Sequence, residues 1–258
     1  MVDLEKLNQN IFYFKVPYKD IFVAIYVIRT DKGTVLFDTA ACDADVEGYI
    51  LPALRELQLT PDYIFISHNH KDHAGGLSKA AALWPDAVIL SRSEDLQKLY
   101  PQITDPADGA EILDVLRVVA IPGHTKDSAA LLDLRTNTLI TGDCLQSYGI
   151  YGSGNWYGAV VFPAEHFAAL RRLRALPLET VATAHDYHPV GLISHGRDEI
   201  NARLDSCVGA LDRLRGMMEA NPALDDGQVA ELANDGRLPK VAPRVIAALR
   251  DAVAAGKI

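Results

Sequence analysis

Four apolar runs in this chain each lead into a histidine or an aspartate. "YIFIS" (63–67) meets His68, "VLRVVAIPG" (115–123) meets His124, "TLITG" (138–142) meets Asp143 and "TVATA" (180–184) meets His185. Short runs dense in β-branched residues are strand signals. Loops at one edge of a rigid sheet are where folds place functional side chains. A chain patterned in this way has to assemble a sheet whose strand ends converge.

The remaining pattern supplies the sheet and its cover. "IFYFKV" (11–16) and "IFVAIYVIR" (21–29) are further strands, and Asp31-Lys32-Gly33 turns the second into "TVLFD" (34–38) as a hairpin. Val46, Ile50, Leu54 and Leu57 have helical spacing over 43–57, with Pro52 marking an irregularity. Helices are also predicted over 77–83 and 163–175, and strands over 87–90 and 128–134. From Arg197 the character changes. Ile200, Leu204, Val208, Leu211 and Leu214 form one stripe of a long helix, followed by a linker at 221–227 and helices at about 226–233 and 241–254. The expected organisation is an α/β catalytic domain over 1–196 and a helical extension over 197–258 packed on it.

Composition narrows the function. With 258 residues and 49% apolar content, a large core is within reach. A net charge of −9 makes a nucleic-acid partner an unfavoured expectation, because such partners select basic faces. Cys42, Cys144 and Cys207 are scattered and odd in number, which suits a reducing compartment better than a disulfide framework. The opening residues have no signal-peptide pattern and no run is long enough to span a bilayer, so a cytoplasmic protein without membrane attachment is expected.

The densest signal is "SHNHKDHAGG" (67–76). His68, His70, Asp72 and His73 put four ligand-type side chains into six positions. Joined to His124, Asp143 and His185, they form a donor set of imidazoles and carboxylates, which suits zinc and also accepts iron or manganese.

That ordered set resembles the seven-ligand signature of the metallo-β-lactamase superfamily, and "LFDTA" (36–40) resembles its Asp-Thr turn. The resemblance covers about residues 10 to 190. It implies an αββα sandwich, two mixed β-sheets face to face with helices outside, with the helical extension beyond the shared core. It also implies that His68, His70 and His124 hold one ion, that Asp72, His73 and His185 hold the other, and that Asp143 bridges them. The implied activity is that of a binuclear hydrolase: two Zn(2+) ions (iron or manganese as alternatives) carry a bridging hydroxide, and Asp72 and Asp143 hold the catalytic ions. An aspartate at 143, with "GHTKDSAAL" and "TGDCL", looks more like the glyoxalase II branch than the β-lactam-hydrolysing one. The implied substrate is a small thioester, ester or lactone. "CLQSYGIYGSGNWYG" (144–158) departs from the stretch that follows the aspartate in glyoxalase II.

Other residues take roles around this set. Tyr148, Tyr151, Trp156 and Tyr157 lie in a glycine-rich stretch just after Asp143 and are expected to face the substrate. Tyr187 and His188 are candidate hydrogen-bond donors to it. Asp38 and Asp186 are candidate carboxylates for orienting ligating imidazoles. Cys144 is assigned to the core, and His166 and His195 to surface or capping positions. Gly75 and Gly76 are expected to let the next helix start close to the ions. The stripe of the tail is read as core or as a dimer face, so a homodimer is one expectation. Two other activities fit the residues: a mononuclear iron enzyme resembling persulfide dioxygenases on His68, His124 and Asp143, and a phosphodiesterase or nuclease.

Overall fold

The computed structural model describes residues 2–154, 156–234 and 240–258. The first sheet is ordered β1 (Glu5–Lys6), β2 (Ile11–Tyr18), β3 (Ile21–Thr30), β4 (Gly33–Phe37), β5 (Tyr63–Ile66) and β6 (Val88–Ser91). The β2–β3–β4 meander is antiparallel, and β4, β5 and β6 run parallel. The parallel strands need crossovers. α1 (Asp43–Asp45) provides the first, continuing through a π turn (Val46–Ile50) into α2 (Leu51–Leu57). α3 (Lys71–Ala74) and α4 (Leu77–Leu83) provide the second, and α5 (Glu94–Leu99) follows β6. The irregularity expected near Pro52 is the π turn just before it.

The second sheet contains β7 (Glu111–Ile112), β8 (Leu116–Ala120), β9 (Ala129–Asp133), β10 (Thr138–Ile140), β11 (Gly149–Ile150), β12 (Thr180–His188) and β13 (Gly191–His195). Its order is β11-β12-β10-β9-β8-β7, with β13 also paired to β12. α6 (Pro163–Ala175), α7 (Gly196–Ala220), α8 (Asp226–Asn234) and α9 (Pro243–Ala254) complete the chain.

Three apolar layers hold the sheets and helices together. Along β3, Ala24, Tyr26 and Ile28 face the other sheet and meet Val118, Leu131 and Ile140 there. The alternate residues Val23, Ile25 and Val27 face outward and meet Val46, Ile50 and Leu54 of the crossover. This is why β3 lacks the polar alternation of a half-exposed strand: both of its faces are covered. On the outer face of the second sheet, Leu132 and Leu139 pack with Leu170 and Leu173 of α6 and with Ile200 and Leu204 of α7. Each such buried aliphatic side chain contributes roughly 1.5–3 kcal/mol. The sandwich expected from the sequence is therefore present, with helices on both outer faces.

α7 extends past the sheet. Its far end, Leu214 and Met218, packs with Val229 of α8 and with Val245, Ile246 and Leu249 of α9. The short strands β1, β7 and β11 were not expected from the sequence. β12 was expected to end at Ala184 but runs to His188, and β13 was not expected at all. The β12–β13 pairing breaks register between Ala182 and Tyr187, and His185 sits in that irregularity. A bulge of this kind re-aims a side chain that regular pleating would send elsewhere. Among the described residues no helix is long and apolar enough to cross a membrane.

Candidate metal centre

Elements from both sheets bring the seven ligand-type residues together at one end of the sandwich. His68 and His70 follow β5, Asp72 and His73 lie in α3, His124 follows β8, Asp143 follows β10, and His185 lies in β12. Three sets of donor atoms fall within 4.8 Å: His68–His70–His124, Asp72–His73–His185, and His68–His73–Asp143. The first two match the two ligand sets implied by the sequence. Asp143 stands between them, with Oδ2 3.6 Å from His124 Nε2 and Oδ1 3.5 Å from His73 Nε2 and 3.3 Å from His185 Nε2.

The imidazoles are oriented from behind. Asp38 Oδ2 lies 2.7 Å from His73 Nδ1, and Ser67 Oγ lies 3.0 Å from His68 Nδ1. The Ala159 carbonyl takes His124 Nδ1 at 2.7 Å, and the Phe22 carbonyl takes His185 Nδ1. With each Nδ1 engaged, Nε2 points inward, the arrangement that fixes tautomer and ring direction in a metal site. His70 is the exception and directs Nδ1 inward, 2.8 Å from His124 Nε2.

Whether these residues fit ions can be tested on the atoms left over. His68 Nε2, His73 Nε2 and Asp143 Oδ1 are buried and have no hydrogen-bond partner among the described residues. Buried polar atoms are rarely orphaned unless something else satisfies them. Donors about 2.0–2.2 Å from a tetrahedral ion lie roughly 3.3–3.6 Å apart, and the separations around Asp143 fall in or close to that interval. The donor set therefore fits metal ions.

Protonation tells the same story. Burial pushes His68 well down and His124 to about 4, leaving the neutral, ligating form. Burial also disfavours charge on His73 and His185. There the surrounding carboxylates Asp143, Asp38 and Asp72 prevail, holding His73 well above its ordinary value and His185 at about 9. These two rings carry protons where a cation would replace them, so ion binding releases protons.

The backbone is strained where the ligands are braced. Asp38 has φ +65 and Ala40 φ +59, in the left-handed region that non-glycine residues seldom occupy. Asp38 repays this by accepting from Ser67 N at 2.7 Å and from Ser67 Oγ at 2.9 Å. Gly142 has φ +54, and a Cβ there would lie 2.5 Å from Ser67 Oγ.

The sequence profile of the metallo-beta-lactamase superfamily matches residues 18–185. The chain belongs to that superfamily. Hydroxyacylglutathione hydrolases from Photobacterium profundum and Shewanella oneidensis are each 32% identical to it. The former match spans 140 residues, 54% of this chain and 53% of the relative; the latter spans 192 residues, 70% and 68%. The chain thus spans between about half and two thirds of the length of such relatives. A metallo-beta-lactamase from Erythrobacter litoralis shares the fold at TM-score 0.61 and 20% identity, covering 81% of this chain and 96% of that one. One from Pontibacter korlensis does so at TM-score 0.62 and 18% identity, covering 81% and 99%.

A cavity of about 160 Å³ opens over the ligands. Of the aromatic residues expected to line it, Trp156, Tyr157 and Tyr187 do so. Tyr148, Tyr151 and His188 do not. The Tyr148 hydroxyl packs against Gly209 of α7, where a Cβ would approach it to 2.8 Å. Tyr151 is 44% exposed and donates to the Pro189 carbonyl, and its ring lies 5.0 Å from that of the exposed His188. Asp186 also fails its expected role: the Phe22 carbonyl, not Asp186, engages His185 Nδ1, and Asp186 is the partly exposed next residue along β12. Asp38 does orient a ligand. His166, expected at the surface or a cap, is fully buried against Gly123. His195 is exposed and precedes α7, as expected of a flanking residue. Cys144 is buried in the core. Gly75 and Gly76 allow a close approach, but to the 39–42 backbone: a Cβ would meet Ala41 O at 2.1 Å and Thr39 O at 2.2 Å respectively.

Two polar residues at the cavity escaped the sequence reading. Buried Gln146 donates to the Asp143 carbonyl at 2.9 Å and to the Tyr187 hydroxyl at 2.8 Å, and accepts from Ala159 N at 2.9 Å. Arg244, from α9, forms part of the wall. No pattern marked either, although Gln146 stands only three positions after Asp143.

Proposed function

We propose that this chain is a metal-dependent hydrolase of a small thioester, ester or lactone, with two ions in the cage and zinc as the first candidate. The observation that carries the reading is the pair of complete donor sets joined by Asp143, with buried donor atoms left unpartnered at the floor of a cavity. When bound, the ions supply Lewis-acid polarisation of a carbonyl and a water activated near neutral pH.

The chain's own residues do the rest. His68, His70 and His124 would hold one ion, Asp72, His73 and His185 the other, and Asp143 would face both. Gln146 and Tyr187 present a hydrogen-bonded pair to the same cavity, and burial together with Asp143 pushes the Tyr187 phenol well up, so it stays a neutral donor. Ile21, Ile150 and Trp156 supply an apolar wall for an acyl chain or leaving group. The completeness of the Asp72–His73–His185 set favours two ions over the one-iron reading. The named hydroxyacylglutathione hydrolases support the thioester end of the range.

Elemental analysis of purified protein is expected to give about two ions per chain, with hydrolysis of at least one member of a thioester, ester and lactone panel. A single iron with oxygen uptake on a glutathione persulfide would replace this reading with the oxygenase. Turnover of bis(p-nitrophenyl) phosphate alone would replace it with a phosphodiesterase.

A further inference from the structure

Arg203 lies within α7 and is the largest fully buried side chain among the described residues. Its Nε donates to Ser194 Oγ at 2.9 Å and its Nη2 to the Gly191 carbonyl at 2.9 Å. Its Nη1 is buried with no hydrogen-bond partner among the described residues, and no carboxylate there forms an ion pair with it. A buried guanidinium held by two neutral acceptors is a costly way to fill space, because an apolar side chain of similar volume often serves stability as well or better. Departures from polar balance of this kind are expected where geometry serves function.

The guanidinium holds the strand that lies opposite a metal ligand. In the β12–β13 pairing, Val181 faces Ser194, Ala182 faces Ile193 and Tyr187 faces Gly191. Residues 183–186 of β12 therefore stand opposite Leu192 alone, and this surplus of chain carries His185. Gly191 and Ser194, the two acceptors of Arg203, bracket the bulge from its straight side. On the bulged side, Ala184 N donates to the Gly142 carbonyl at 3.0 Å, the Tyr26 hydroxyl donates to the Thr183 carbonyl at 2.6 Å, and the Phe22 carbonyl takes His185 Nδ1. Thr183 Oγ1 links the two sides, 2.8 Å from the His185 carbonyl and 2.9 Å from the Leu192 carbonyl. Among the described residues β13 pairs with β12 alone. A ladder interrupted in this way specifies register weakly. The fork of Arg203 supplies the missing constraint, since its planar donors fix two points three residues apart.

We infer that Arg203 is a positioning residue for the candidate metal centre: by holding Gly191 and Ser194 it fixes the bulge that aims His185, so that the helical extension sets how tightly the Asp72–His73–His185 set binds its ion. The inference rests on the two-ion reading above and deepens it. The family profile ends at residue 185, so Arg203 acts on the centre from outside the matched region. The same turn of α7 reaches the segment after Asp143 as well. Ser206 Oγ donates to the Arg203 carbonyl at 2.7 Å and is left to accept from Ser147 Oγ at 2.7 Å.

The test measures zinc retention against a chromogenic chelator on the zinc-loaded protein. Arg203→Met should weaken one of the two zinc affinities about tenfold or more and leave the other unchanged. Arg203→Lys should recover part of the loss, and Ser194→Ala, which removes one of the two acceptors, should reproduce part of it. In a His185→Ala background, where that donor set is already incomplete, Arg203→Met should not alter the remaining affinity. Leu214→Ala, which thins the packing of α7 on α8 and α9, should lower the urea midpoint and keep both affinities. Hydrogen exchange on the zinc-loaded protein gives a second readout: amides of residues 183–187 should exchange about tenfold faster in Arg203→Met, with those of β8 and β9 unchanged. Full zinc retention in Arg203→Met, a loss that persists in the His185→Ala background, or an equal loss in Leu214→Ala overturns the inference. If Arg203→Met does not fold, Ser194→Ala decides, and unchanged retention with unchanged exchange at 183–187 overturns it. If the wild type holds a single zinc ion while exchange at 183–187 rises as expected, the two-ion reading fails and the positioning role stands.

Discussion

The cage and the wall of the cavity are built in opposite ways. In the cage, ligating rings are buried and several are braced from behind by side-chain or backbone oxygens, as His73 is by Asp38 and His124 by the Ala159 carbonyl. In the wall, Trp156 donates to Asp20 at the open tip of the β2–β3 hairpin, and Arg244 is exposed and unengaged. The contrast teaches a division of labour. Reacting groups require a fixed geometry, so the sheets and their hydrogen bonds determine them. The wall residues sit on loops and on an added helix, where they can change without disturbing the centre.

The hardest way to break the cage is to remove the residue that faces both ligand sets. Asp143→Ala should lower hydrolysis by roughly 10³-fold or more, the several kcal/mol that ion polarisation supplies. Elemental analysis should show fewer ions per chain. Retained turnover with full metal content would mean that the centre does not depend on a bridging carboxylate.

His166 probes the packing beneath the cage. Burial holds its folded-state value at about 4, below the ordinary 6.5 of an exposed histidine. The unfolded chain therefore takes up a proton as pH falls below about 6.5 while the folded chain does not, and stability falls between pH 6.5 and 4. The contribution is present in full above pH 6.5 and amounts to about 3 kcal/mol at most. Urea titrations at fixed metal content should show a shallower acid limb in His166→Leu than in the wild type. Parallel limbs would show that His166 is not the group responsible.

Bracing alone can be tested with Asp38→Asn, which keeps the side-chain shape and removes the charge facing His73 Nδ1. Loss of such an orienting partner costs on the order of 10–100-fold in metal affinity. Competition with a chromogenic chelator would measure it, and unchanged affinity would assign Asp38 to the turn at φ +65 and not to the centre.

The same division decides what could be read from the sequence. Four of the seven ligand-type residues directly follow a strand run, and four, His68 belonging to both groups, share six positions, so local pattern exposed them. Both sheets followed from β-branched runs, and α4 and α6 were found at their observed bounds. What escaped depended on distant partners. Asp186 follows His185 directly, but the ring is held by Phe22, 163 positions away. A glycine-rich stretch has no period, so nothing in it separates Tyr148, which packs on α7, from Tyr157, which faces the cavity. Arg244 lies 59 positions beyond the last ligand. His166 was legible after all: with Leu170 and Leu173 it completes an i, i+4, i+7 stripe on α6, and all three are buried.

The smallest expected effect belongs to the wall. Asp20 accepts from Trp156 Nε1 at 2.7 Å and from Ser153 Oγ at 2.9 Å, and Lys19 lies 4.7 Å from the indole centroid. The hairpin tip thus grips the loop that carries Trp156, but it does so in solvent, where such contacts contribute little. Asp20→Ala should raise KM about two- to fivefold through looser ordering of the wall, and leave kcat and metal content close to the wild-type values. A matching fall in kcat would instead tie the wall to the cage, through Gln146 and its bond to Ala159 N, and would dissolve the distinction between the two regions.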